Sequence, residues 1–166
     1  MSLRPSAADR PVSGGMLRAA GFGSALCVVV TVVHLQDQSW FSFAKEPAYV
    51  QAGYVLLEVV GLTAAVLLVT RPRPTAWLLA ASTGVAPLVG YILSRGPGLP
   101  DYTDDRGNWG EPLGVVSLVV EGLLVVVAGT AVLTSRARAR ARPTADPAGQ
   151  PRRSERHDHP SDAFLA

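Results

Sequence analysis

The sequence predicts an all-α fold: a bundle of four transmembrane helices with both chain ends on the cytoplasmic side. Three observations carry that expectation. Four apolar stretches have the length a bilayer requires, charge is almost absent within them, and the arginines are divided very unevenly among the segments that join them. A hydrocarbon core of about 30 Å takes roughly 20 helical residues to cross. A chain of 166 residues with 48% hydrophobic but only 7% aromatic residues, and a mean hydropathy of +0.25, suits a membrane bundle better than an aromatic-centred soluble core.

Helix one is expected over about 17–35, with its apolar run from Ala19 to Leu35 and His34 at the far end. Basic residues precede it, as they precede a signal peptide, but the run is followed by His-Leu-Gln-Asp-Gln-Ser-Trp rather than a small-x-small cleavage site, so an uncleaved helix is expected. Helix two spans Pro47 to Thr70, with Glu58 as its one charge-capable residue, and Pro47 sits where a first helical turn tolerates proline. Arg71-Pro-Arg-Pro74 leaves room only for a tight turn before helix three, Thr75 to Ser94, which carries no charge and stops at Gly96, Pro97, Gly98 and Pro100. Helix four runs from Pro112 to Ser135 and is interrupted only by Glu121.

This gives one membrane domain over 16–135, flanked by a disordered N-terminus (1–15) and a basic disordered tail (136–166). Twelve of the fifteen basic residues precede helix one, occupy the turn between helices two and three, or follow helix four; only Lys45, Arg95 and Arg106 lie on the other side. Basic residues accumulate on the cytoplasmic side of membrane proteins, so the expected topology is N-in, C-in in the cell membrane. The alternating Arg-Ala run after Ser135 reads as a stop-transfer signal and an anchor for anionic lipid headgroups, not as a nucleic-acid-binding segment. His157 and His159 in the tail are too isolated to argue for a metal. Cys27 is the only cysteine, which excludes an intrachain disulfide and a cysteine-based zinc site.

Ionisable groups within a span are costly in hydrocarbon and are the first candidates for function. Three occur: His34, Glu58 and Glu121. Glu58 and Glu121 fall eleven and nine residues into helices that both start at the outer face, so each is ~14–16 Å deep at 1.5 Å per residue. Helical spacing gives every span a small and polar stripe. Gly23, Cys27, Thr31 and His34 share one face; Gln51, Tyr54, Gly61 and Ala65 share a face with Glu58. Thr83, Pro87, Tyr91 and Ser94 form the third stripe, and Gly114, Ser117, Val125 and Ala128 flank Glu121. Small residues let helices approach closely in lipid, so the two glutamates and the histidine are expected to point inward, towards each other. Two readings stay open: neutral glutamates acting as hydrogen-bonded glue, or a site for a proton, an ion or a small ligand. By residue type the three side chains are also a conceivable metal set, though without a local motif.

The outer segment Arg95 to Glu111 carries Asp101, Asp104 and Asp105, but an EF-hand is excluded because Arg106 stands where that loop requires glycine. Trp109 reads as an interfacial anchor, and Arg95 is placed to reach Glu111 or the acidic loop, with Tyr91 as further support on the outer face. Tyr91-Ile-Leu-Ser-Arg95, Gly98-Leu-Pro100, Trp109-Gly-Glu-Pro-Leu-Gly114 and Ser117-Leu-Val-Val-Glu121 resemble the signature of an uncharacterised family of small four-span integral membrane proteins from actinobacteria. The resemblance covers about thirty residues firmly and the four-span layout loosely. It implies that His34 and Glu121 belong to one constellation, and it implies no activity. Ser117 stands where that family often has aspartate and Glu58 where it often has glutamine, which alters the charge of any shared site. No nucleophile–base pair, phosphate loop or metalloprotease motif is present. The expectation is therefore an accessory or structural membrane protein acting through partner helices or the outer loop, with membrane protein partners or a homo-oligomer; the alternative is an ion-, proton- or ligand-binding protein built on His34, Glu58 and Glu121.

Overall fold

The computed structural model describes residues 14–40 and 47–141. The remainder of the N-terminus, Lys45 with its neighbours, and the histidine-containing tail lie outside the described residues. Four helices make up the fold: α1 (Gly14–Asp37), α2 (Ala48–Thr70), α3 (Pro74–Arg95) and α4 (Pro112–Arg140). All four are long and apolar enough to cross a membrane. Prolines fix the starts of the last three. Pro47 is the N-cap of α2, and Pro74 and Pro112 open α3 and α4, where a missing N–H costs nothing. The three-residue link 71–73 makes α2 and α3 antiparallel neighbours.

Helix four corrects one expectation. The chain does not leave helical structure at Ser135 but continues to Arg140. Alanine and arginine are strong helix formers, and Arg138 and Arg140 in the last turn oppose the negative end of the helix dipole. At 1.5 Å per residue, α4 is ~43 Å long and exceeds a hydrocarbon core by roughly two turns.

The helices pack in ring order, α1 against α2 and α4, and α3 against α2 and α4. Across the ring α1 touches α3, whereas α2 and α4 do not meet. One half of the bundle, at the end where α2 turns into α3, is dry. Ala20, Cys27, Val30, Ala64, Leu68, Trp77, Ala80, Leu124 and Ala128 form its core. Glycines permit that closeness. A Cβ at Gly23 would fall 2.8 Å from the Trp77 ring, and one at Gly84 would fall 2.9 Å from the Glu121 carbonyl oxygen. Val, Leu and Ile side chains cover the outside of the bundle, as lipid-facing surfaces require.

Candidate functional site

The other half of the bundle collects the polar groups. It is built from the end of α1, the start of α2, the end of α3, the start of α4 and the 96–111 connection. Side chains on a helix lean towards its N-terminus. On α1 and α3 they therefore lean into the bundle from this end, and on α2 and α4 they lean out towards it. His34 and Glu121 meet for that reason, with Nε2 of the ring 2.9 Å from the carboxylate Oε1. Ser117, one turn before Glu121, donates its hydroxyl to the same Oε1 and lies 3.5 Å from His34 Nε2. Both groups address one ring nitrogen. They do not form the hydroxyl–imidazole–carboxylate chain of a serine hydrolase, in which the two ring nitrogens serve different partners. The edge of Tyr54 holds the imidazole from α2, with ring centroids 5.5 Å apart, and the Tyr54 hydroxyl donates to Asp37.

Glu58 is placed elsewhere. Its carboxylate accepts from the Gln38 amide, on the α1–α2 side of the bundle. Gln38 directly follows α1, and Glu58 leans along α2 towards that end of the bundle to meet it. Because α2 and α4 stand on opposite corners, the two glutamates share an approximate depth without sharing a site. Among the described residues no group of three or more His, Cys, Asp or Glu side chains is placed to hold a metal ion. The set of His34, Glu58 and Glu121 is thus divided into a pair and a separate carboxylate. Gln38 was missed by sequence reasoning because it lies past the apolar run, where polar residues read as loop.

Arg95 organises the end of the bundle where α3 meets the 96–111 connection. It is 8% exposed, and each guanidinium nitrogen has a partner. Nε donates to the Asn108 carbonyl (3.2 Å), Nη1 to Ser94 Oγ (3.1 Å) and Asp105 Oδ2 (3.4 Å), and Nη2 to Glu111. The guanidinium carbon lies 4.2 Å from the centroid of the Tyr91 ring, whose hydroxyl donates to the Trp109 carbonyl (2.7 Å). Gly114 makes room for this stack, since a Cβ there would fall 2.7 Å from Tyr91. The connection folds back over the bundle through the reciprocal Leu99–Tyr102 backbone bonds and the Tyr49 hydroxyl, which donates to Pro100 O (2.6 Å). Gly98 and Gly107 have positive φ, a conformation open to glycine at no steric cost. Burial, and next the hydrogen bond from its hydroxyl to Asp105 (2.7 Å), raise the Tyr102 phenol above the usual tyrosine range.

Between the Arg95 cluster and the His34–Glu121 pair lies a cavity of about 500 Å³, within the size range of small-molecule sites. It runs chiefly between α2 and α3 and reaches the bundle surface past Gly53, Leu56 and Ala86. A Cβ at Gly53 or Gly90 would meet nothing within 4 Å, so these two glycines leave space rather than close contacts. Pro87 also lines it; without an N–H it leaves the Thr83 carbonyl outside the helical ladder. Glu121 contributes to the lining and is 1% exposed, and its Oε2 has no hydrogen-bond partner.

The sequence reading grouped His34 with Glu58 and Glu121, and Tyr91 with Arg95 and Glu111; the structure brings His34 to Glu121 and both Tyr91 and Glu111 to Arg95, and sets Glu58 apart. The sequence reading did not foresee the cavity that joins the two clusters. Comparison with known proteins found no matching family model, no matching curated protein and no matching solved structure.

Proposed function

We propose that this protein is an integral membrane protein that binds a small amphipathic ligand in the cavity between α2 and α3. The observation that carries the reading is the Glu121 carboxylate. One oxygen is held by Ser117 and His34, while the other is buried at the cavity wall without a partner. A buried polar atom left unpaired is costly, on the order of 1–3 kcal/mol. A carboxylate serving only as glue between helices has no reason to keep a buried oxygen unpartnered in a residue that borders a cavity, whereas a binding site does. The remaining walls are largely apolar and aromatic, with polar groups at the two ends, which fits a ligand with an apolar body and a polar head.

In the same reading the chain lies N-in, C-in in the cell membrane. The cavity then opens in the outer leaflet, and the arginines of the α4 extension meet anionic headgroups inside. The residues that carry the resemblance to the actinobacterial four-span family support the assignment of a shared site. Ser94, Arg95, Leu99, Glu111, Gly114, Ser117 and Glu121 all line this one cavity.

The test is to purify the wild type and Gly90→Phe from native membranes and identify small molecules retained by each with mass spectrometry. The phenyl group fills open space and should leave the fold intact. A molecule retained by the wild type and lost from the variant is the expected result. Identical retained molecules in both would return the His34–Glu121 pair to the role of interhelical glue.

A further inference from the structure

The geometry points to a lipophilic organic cation, an amine bearing an apolar body, as the ligand class of this cavity. The inference rests on the ligand-binding reading above and adds the chemistry of the head group.

Charge is the first observation. Leaving Asp37 aside, the lining holds three carboxylates, Asp105, Glu111 and Glu121, against the single guanidinium of Arg95 and the imidazole of His34. Arg95 is already engaged by both Asp105 and Glu111, so that end has one more negative than positive group. At the other end Glu121 meets His34 Nε2 and the Ser117 hydroxyl, and no arginine or lysine of the lining contacts it. In a low-dielectric setting such an excess strongly disfavours an anionic ligand and favours a cationic one.

Hydrogen-bonding capacity is the second. Glu121 Oε1 has its donors, and Oε2 lacks one. What the site requires is therefore an N–H or O–H donor. No guanidinium or amine of the lining is left over to serve, because its one arginine has every nitrogen engaged.

The walls are the third. Tyr49, Tyr54, Tyr91 and Tyr102 come from two helices and the connection to line the cavity. Aromatic faces stabilise ammonium groups that have lost their water. An ammonium N–H donating to Glu121 Oε2 would satisfy the orphan acceptor and offset the excess of carboxylates in the lining, while its apolar body occupies the space beside Gly53 and Gly90. An alcohol would satisfy the acceptor alone, and a carboxylate would do neither.

The test uses three probes of one shape, 4-phenylbutylamine, 4-phenylbutanol and 4-phenylbutyrate, titrated by calorimetry into the full chain in phosphatidylglycerol nanodiscs. The amine is expected to bind at least about tenfold more tightly than the alcohol, since a charge-assisted hydrogen bond is replaced by a neutral one, and the acid is expected not to bind. Glu121→Gln should remove the amine's advantage while leaving the alcohol unchanged, and Gly90→Phe should abolish binding of both. Repeating the titration with phosphatidylethanolamine in the disc identifies the source of the cation. Competition assigns it to a lipid amine headgroup, and unchanged amine binding assigns it to a free amine. Equal binding of amine and alcohol, or tighter binding of the acid, overturns the cationic assignment; if Gly90→Phe still blocks that binding, the cavity reading stands. No binding of any probe overturns both.

Discussion

Arg95 and Glu121 are each almost fully buried, yet their surroundings differ in kind. The Arg95 guanidinium reaches two carboxylates, a hydroxyl and a backbone carbonyl, whereas Glu121 keeps one oxygen unpartnered. A planar fork that serves several acceptors at fixed angles cannot be replaced by a single ammonium. Arg95→Ala is therefore expected to lower stability by about 2–3 kcal/mol, because it removes the group that joins α3 to the connection and α4. Arg95→Lys should recover less than half of that loss. Thermal unfolding in detergent reads both; full recovery by lysine would show that only the charge matters. The Arg95–Glu111 contact was legible in the sequence, because in an up-and-down bundle the exit of one helix and the start of the next lie at the same end. His34 and Glu121 were expected to face each other from their inward stripes, but His34 lies nearer the end of the bundle, and only the opposite lean of the two side chains closes that difference in depth. Gln38 was not legible, because its role depends on the direction in which the Glu58 side chain leans and not on where the apolar run stops.

Among the elements, glycine has two opposite uses, and the residue type alone cannot distinguish them. Gly84 on α3 lies against the α4 backbone, where a Cβ would fall 2.9 Å from the Glu121 carbonyl oxygen and 2.8 Å from Val125. Gly90, six residues later on the same helix, borders the cavity and has open space where a Cβ would be. Gly84→Ala must push α3 and α4 apart, and it is expected to destabilise by about 1–3 kcal/mol. Gly90→Ala gains helix propensity without a collision, and it is expected to be neutral or to stabilise by up to about 1 kcal/mol. Unfolding of the two variants side by side in detergent checks the contrast, and a loss at Gly90 equal to that at Gly84 would mean the space beside it is not open. The small and polar stripes were readable as inward faces from their spacing. Which parts of those faces close and which stand apart depends on how α2 and α3 diverge from their tight link, and hydrophobic periodicity carries no information about that angle.

At the scale of the whole molecule the bundle has two unlike ends, one dry and apolar, the other polar and hollow, and function depends on which of them faces out. The four-helix layout was legible because each span satisfies a length and charge requirement on its own. The hollow was not, since it arises between spans. Orientation rests on arginine: the 71–73 link and the α4 extension carry Arg71, Arg73, Arg136, Arg138 and Arg140, whereas the 96–111 connection at the opposite end carries Arg106 among three aspartates. Moving so many basic residues across a membrane is disfavoured, so the proposed orientation has the link inside and the cavity end outside. Cys27 makes the test simple, because it is the sole cysteine and is 0% exposed. A single added cysteine at Asn108→Cys, on the exposed connection, or at Arg73→Cys, on the exposed link, then reports one end each. In intact cells a membrane-impermeant maleimide is expected to label the Asn108 variant and to reach the Arg73 variant only after permeabilisation. The reverse pattern would place the cavity, with its acidic lining and the unpaired Glu121 oxygen, on the cytoplasmic side, where its ligand would have to be drawn from the inner leaflet.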